Sequence, residues 1–241
     1  HPVFATVIER GVRLTTSSGT AAEPIAQTAI AGLLMLARNY PHWLKAQREK
    51  RWDPLTPKNF PRDIRGQTIL VYGLGAIGCE IARLAQALGL KTIGVRRSGT
   101  RVEHVDEMHT PDRLAELLPR CDWLALACPL TNETRGMFNA DLLGKLPRGA
   151  RVLNISRGEV IDEPALIDAL ARRHLDGAYL DVFATEPLPA ASPLWDMPGV
   201  LVTAHDASTS DAYDPRINAL FLDNLARWRR NEPLLNEVTQ L

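Results

Sequence analysis

An excess of charge of either sign is missing from this chain: its 241 residues carry 28 Lys and Arg against 28 Asp and Glu. Proteins that bind nucleic acid or an anionic membrane usually carry a basic surplus, so neither is expected as a partner. Cysteine is scarce as well. The three present, Cys79, Cys121 and Cys128, lack the spacing of a metal site, so no metal is expected. Their odd number fits reduced thiols in a cytoplasm. No apolar run approaches the length of a membrane span. The opening His1-Pro2-Val3-Phe4-Ala5 lacks the basic region and sustained apolar stretch of a signal peptide. Neither an internal repeat nor a low-complexity tract is visible. What remains is globular in character, with 45% hydrophobic and 23% charged residues, at a length for one large or two modest domains.

Glycine, by contrast, is concentrated where it matters. Thr68-Ile-Leu-Val-Tyr72 reads as a short apolar strand, and Gly73, Gly75 and Gly78 follow in G-x-G-x-x-G spacing, with Ala76 and Ile77 opening a helical pattern. Gly73 permits a tight turn, Gly75 lets backbone approach a pyrophosphate, and Gly78 lets the helix pack on the strand. The free N–H groups of that helix start would face the phosphates. An ordinary strand-to-helix turn is the plainer alternative, but the strand before and the helix after favour a dinucleotide site. The next strand, Lys91–Val95, ends in Arg96-Arg97-Ser98, where an NAD site would normally place Asp or Glu. Two guanidiniums and a hydroxyl suit a ribose 2′-phosphate. The alternative is a solvated surface pair. The expected cofactor is NADP, with NAD possible.

From residue 66 onward the pattern alternates. Strands are predicted at Thr68–Tyr72, Lys91–Val95, Trp123–Ala127, Arg151–Ile155, Ala178–Val182 and Val200–Thr203. Helices are predicted at Ala76–Leu88, Asp112–Leu118, Ala140–Leu146 and Glu163–Arg172. Such alternation specifies an α/β fold with a parallel sheet covered on both faces. Before residue 66, Gly11–Thr15 reads as a short strand. A capping box with Thr20 as N-cap and Glu23 three residues on opens a helix that Pro41 ends. Trp52–Arg65, with Pro54, Pro57 and Pro61, reads as an extended loop. A last helix over Pro215–Arg229 is expected to bury Ile217, Leu220, Phe221, Leu225 and Trp228.

Three loops at the C-terminal ends of strands carry chemistry, where open α/β sheets hold ligands. Asn154-Ile155-Ser156-Arg157-Gly158 offers a guanidinium for a substrate carboxylate. Asp181 to Leu188 places Glu186 in a turn. Val202-Thr203-Ala204-His205 supplies the one of six histidines that directly follows a predicted strand in this half of the chain. Taken alone, Arg157 has a structural reading as the lesser alternative, and His205 is more often a structural histidine than a catalyst. Together they form a proton-transfer set, in which a carboxylate stabilises an imidazolium.

With these motifs in order, the chain resembles the D-2-hydroxyacid dehydrogenases, the family that includes glyoxylate and hydroxypyruvate reductases. The matching stretches are Val71–Gly78, Cys128–Gly136, Asn154–Gly158, Leu180–Leu188 and Thr203–His205. The resemblance implies a Rossmann-type doubly wound sheet over 66–208. Residues 1–20 would be the tail of a flavodoxin-like substrate domain, 21–65 a linking helix and extended loop, and 209–241 a helix returning towards the substrate domain. It also implies that Arg157 binds the substrate carboxylate, Glu186 tunes the histidine and His205 is the general acid/base. Asp181 would hold the nicotinamide amide, Cys128, Pro129 and Ile155 would line its pocket, and Thr134 would lie in the same loop. A small 2-oxo or 2-hydroxy acid is then the substrate, and a homodimer formed through residues 21–60 the assembly. Two departures stand out: the resemblance implies a substrate domain of which residues 1–20 are expected to hold only the tail, and Ala204 and Asp206 flank His205 where the family usually has proline before it and rarely a carboxylate after it. Asp206 is expected to point to solvent. The competing expectation is a dinucleotide-binding module or regulator with impaired catalysis.

Overall fold

The computed structural model describes residues 2–57 and 60–238. Seven strands form one wholly parallel sheet: β2 (Thr68–Tyr72), β3 (Lys91–Val95), β4 (Glu107–His109), β5 (Trp123–Leu126), β6 (Ala150–Asn154), β7 (Leu175–Leu180) and β8 (Val200–Val202). Their order across the sheet is β4-β3-β2-β5-β6-β7-β8. The winding therefore reverses between β2 and β5, and a crevice opens at their C-terminal ends. A separate pair, β1 (Leu14–Thr15) and β9 (Glu237–Val238), runs antiparallel. Arg13 clamps it, placing Nε 2.6 Å from one Glu237 carboxylate oxygen and Nη2 2.8 Å from the other.

Side chains alternate across the sheet and so feed two cores. On one face Leu70, Tyr72, Leu124, Leu126, Val152 and Ala178 pack with Leu143 of α6 (Ala140–Gly144) and Leu166 of α7 (Glu163–Ala171). On the other, Ile69, Val71, Trp123, Ala125, Leu153 and Tyr179 meet Ile81, Ala82 and Ala85 of α4 (Ala76–Ala87) and Ala26, Ala29, Ile30 and Leu33 of α2 (Ala22–Ala37). The helix expected as a linker thus covers the sheet. Near-continuous apolar strands are the sequence consequence of burial on both sides.

Several expectations are corrected. Thr20 does not cap α2: its hydroxyl donates to the Ser17 carbonyl at 2.8 Å, Ala21 occupies the cap position, and Glu23 pairs with Arg216 instead. Pro41 does not end a helix but opens α3 (Tyr40–Arg48), since α2 has already stopped at Ala37 and Asn39 turns the chain through a left-handed conformation. Proline is well tolerated in a first helical turn, where its missing N–H has no intrahelical partner to lose. The prediction over Asp112–Leu118 resolves into 3₁₀ turns flanking α5 (Leu114–Leu117). Helix α1 (Pro2–Glu9) and β4 carried no sequence signal. β4 is a three-residue edge strand with no fully buried position. The extended loop over Trp52–Arg65 contains no helix or strand among its described residues; 58 and 59 lie outside them.

The last helix, α8 (Tyr213–Arg229), buries less of its apolar stripe than the sequence pattern predicts. Asn224 is its buried residue and exchanges two hydrogen bonds with the Leu235 backbone. Phe221 is 63% and Trp228 60% exposed, and Leu225 is exposed too. Ile217 and Leu220 are half-buried, so the stripe is covered near its start and open towards its end.

Because α2 shares a core with the sheet, Leu33→Ala is expected to lower stability by about 2–5 kcal/mol in a single urea transition. An early, separate transition would mean that α2 unfolds on its own.

Candidate active site

The glycine turn and the loop after β5 meet at the reversal point. Gly73 has φ +99, and a Cβ there would lie 2.6 Å from the Cys128 backbone. Gly78 is excluded from carrying a side chain by the Gly73 carbonyl. Gly75 differs, because nothing lies within 4 Å of where its Cβ would be. Its smallness serves no neighbour in the chain. It leaves a bare cradle at the start of α4, where no side chain caps the helix and the first-turn amides of Ala76, Ile77 and Gly78 have no intrahelical acceptor. Amides so exposed at a helix start are suited to an anion.

Arg96 and Arg97 lie directly after β3, with Ser98 in the turn. Among the described residues neither guanidinium has an ion-pair partner at salt-bridge distance. Arg96 is close enough to Cys79 of α4 to oppose the burial that raises that thiol, which places it beside the glycine turn. Arg97 faces Glu133. That carboxylate is held below its usual range first by the Thr131 hydroxyl, then by its own backbone amide, and in smaller part by Arg97. A cavity of about 400 Å³ also opens beside Ala76, but its charges are paired, Glu80 with Arg83 and Glu23 with Arg216. The amide end of α4 is the better anion seat.

Cys128 and Ile155 are buried at the ends of β5 and β6, and Pro129 is exposed beside them. Burial pushes the Cys128 thiol up to about 11, so it stands as a neutral wall. Thr134 turns inward: its hydroxyl donates to the Pro129 carbonyl at 2.8 Å and accepts from the Thr131 amide, bracing the loop from within.

Arg157 is exposed at the end of a loop tied by Asn154. The Asn154 carboxamide oxygen accepts from the Ser156 amide and hydroxyl, and its nitrogen donates to the Arg157 carbonyl at 3.1 Å. Gly158 packs so tightly on the Phe183 and Ala184 backbone that a side chain would collide with it. That contact brings the Arg157 loop against the turn carrying Glu186. Glu186 accepts from the Phe183 amide with Oε1 and lies 2.8 Å from His205 Nδ1 with Oε2. Asp181, only 3% exposed, accepts from the Thr203 hydroxyl and from the amides of Asp206 and Ala207. The loop bearing His205 is therefore built around it. Asp206 is exposed, as expected, and its carboxylate accepts from the Thr209 hydroxyl.

Residues 30–207 match the family described as D-isomer specific 2-hydroxyacid dehydrogenase, NAD binding domain. The chain belongs to that family. A relative from Haemophilus influenzae is 35% identical over 212 residues, which are 85% of this chain and 66% of its own length. The crystal structure of a D-isomer specific 2-hydroxyacid dehydrogenase from Xanthobacter autotrophicus, in complex with NADPH and MES, superposes with TM-score 0.82 at 37% identity, covering 94% of this chain and 92% of that one. An NADPH-dependent glyoxylate/hydroxypyruvate reductase from Sinorhizobium meliloti, in complex with NADP and sulfate, gives TM-score 0.82 at 31% identity, covering 94% and 72%.

For a 2-hydroxyacid dehydrogenase domain, the residues present fit a dinucleotide, on the ground of the bare Gly75 cradle and the uncapped amides beside it. Among the described residues no cluster of His, Cys, Asp or Glu is arranged to hold a metal. The sequence reading missed the braces of the site: Asn154, Ser156 and Thr203 lay inside quoted motifs without a role, and Gly158 ended one.

Glu186 is held below the usual carboxylate range. Burial opposes its ionisation, but the His205 hydrogen bond, the Phe183 amide and the charges of His205 and Arg157 outweigh it. Such a group lends stability above its unfolded value and loses it as pH falls through the folded one. The Glu186 carboxyl ¹³C signal is accordingly expected to titrate below the midpoint of an unpaired glutamate. A midpoint at or above that of an unpaired glutamate would contradict the pairing.

Proposed function

We propose that the chain transfers a hydride between NADP(H) and a small D-2-hydroxy acid or its 2-oxo acid, of the glyoxylate or hydroxypyruvate type, with NAD as the lesser cofactor. The contact that carries this reading is His205 Nδ1 to Glu186 Oε2 at 2.8 Å, at the sheet edge that also bears the Gly75 cradle. A carboxylate only accepts, so it keeps the Nδ1 proton in place and leaves Nε2 to exchange one with substrate. Arg157, near enough to Glu186 to help hold it ionised, would seat the substrate carboxylate. When bound, the cofactor supplies or accepts the hydride at the substrate's C2. In the reducing direction His205 gives its proton to the oxygen at C2, and Glu186 stabilises the imidazolium until it does. Pro129, Cys128 and Ile155 would wall off water, and Arg96, Arg97 and Ser98 would take the 2′-phosphate. Asp181 has already committed acceptor capacity to the loop of His205, and it would turn what remains to the nicotinamide amide.

The family resemblance further suggests that residues 66–208 are the nucleotide-binding domain. On the same reading 1–20, 21–65 and 209–241 adjoin a substrate domain. The assembly would be a cytoplasmic homodimer formed through residues 21–60, where Tyr40, Trp43, Trp52 and Phe60 expose apolar rings.

NADPH consumption with glyoxylate, hydroxypyruvate and pyruvate tests the activity. His205→Ala and Arg157→Ala are each expected to cut turnover by about 10²–10⁴-fold with NADPH affinity nearly intact. Equal loss of cofactor binding in both would remove these roles, and NADPH binding with no consumption by the unaltered chain would favour a binding module. Replacing Arg96 and Arg97 together by Ala is expected to weaken NADPH binding about ten- to hundredfold with little change for NADH. Equal weakening of both nucleotides would disfavour the 2′-phosphate assignment.

A further inference from the structure

Tyr179 is a strand residue that reads as core and is 3% exposed, yet its phenol oxygen does not end in an apolar wall. The ring occupies the space left by Gly32 of α2, where a Cβ would lie 2.5 Å from the ring's Cγ. Its Oη lies 2.8 Å from Thr203 Oγ1, and Thr203 Oγ1 lies 2.6 Å from Asp181 Oδ1.

The donors in this chain can be assigned. The Asp181 carboxylate only accepts, so the single proton of Thr203 points at it. Thr203 is then left with lone pairs, and the bond to Tyr179 forms only if Tyr179 donates. Burial pushes the phenol up to about 12, so that proton is present at neutral pH. The direction Tyr179 to Thr203 to Asp181 is thereby set.

Asp181 is also the acceptor for the amides of Asp206 and Ala207, at 3.0 and 3.2 Å. Its three donors flank His205 on both sides in sequence. His205 has φ +54, a left-handed conformation uncommon for a residue with a side chain, which persists where its surroundings hold it. The backbone of His205 is thus tied through Asp181, and its ring through Glu186.

We infer that Tyr179 is a positioning residue for His205: its buried hydroxyl, through Thr203 and Asp181, holds the loop 203–207 in the conformation that aims the imidazole. This rests on the reading of His205 as the proton-exchanging group. It makes α2 part of the support for the site, because the ring that donates is seated against Gly32.

Tyr179→Phe keeps the ring and its seat and removes only the donor. With NADPH and glyoxylate, its kcat is expected to fall about threefold to tenfold, with KM, NADPH affinity and the thermal midpoint close to those of the unaltered chain. The ¹⁵N signal of His205 Nδ1, sharp when bonded to Glu186, is expected to shift or broaden. Thr203→Val should give the same loss, and the double variant no further loss, because the two hydroxyls act as one chain. An unchanged kcat together with an unchanged Nδ1 signal would overturn the inference, as would losses that multiply in the double variant. A wild-type chain with no turnover would defeat the proposed function instead. The Nδ1 comparison would then decide the positioning role by itself, since it needs no substrate.

Discussion

Parallel pairing is the constraint on which the rest depends. When every strand of a sheet runs the same way, all of their C-terminal ends lie along one edge, and the loops that leave them are neighbours whatever their separation in sequence. Here that edge gathers the glycine turn after β2, the arginines after β3, Cys128 after β5, Arg157 after β6, Asp181 and Glu186 after β7, and His205 after β8. The reversal between β2 and β5 opens a crevice among them, and close backbone contacts at Gly73 and Gly158 lock adjacent loops together. Neither contact tolerates a Cβ, so the geometry of the site is set by backbone against backbone.

A loop edge of this kind carries many polar groups, and each buried one costs stability unless it is paired. The chain meets this cost with a few multiply bonded side chains. Asn154 satisfies three groups of one loop, Asp181 three groups of another, and Thr134 braces a third. The residues proposed to meet substrate, Arg157 and His205, are exposed. Rigid, buried acceptors beneath exposed working groups are a sound division, since the working groups must face ligand while their backbone stays still.

Much of this was legible beforehand. The five strands from Thr68 to Leu180 announce themselves because burial on both faces favours continuous apolar runs, the half-buried edge strand β8 is apolar as well, and the helices between them show because glycine and proline punctuate the pattern. β4 was not legible: an exposed edge strand of Glu107, Met108 and His109 has no reason to be apolar. The start of α2 was misread because Thr20 and Glu23 have partners, Ser17 and Arg216, that local spacing does not reveal. The stripe on α8 was read as buried because amphipathic period records what a helix is able to bury, whereas burial itself requires a partner surface. Tyr179 gave no signal at all, since in a strand its ring is indistinguishable from any other core residue.

The sequence by itself determined the alternation of elements, the glycine turn and the residue types available for proton transfer, because periodicity, glycine spacing and functional groups are local properties of the chain. Tertiary structure decided which of those groups meet. The approach of Glu186 to His205, the convergence of Thr203, Asp206 and Ala207 on Asp181, and the seating of Tyr179 against Gly32 each join residues from separate elements. Such contacts depend on how strands and helices are packed, and packing is a property of the whole fold that no short window of sequence contains.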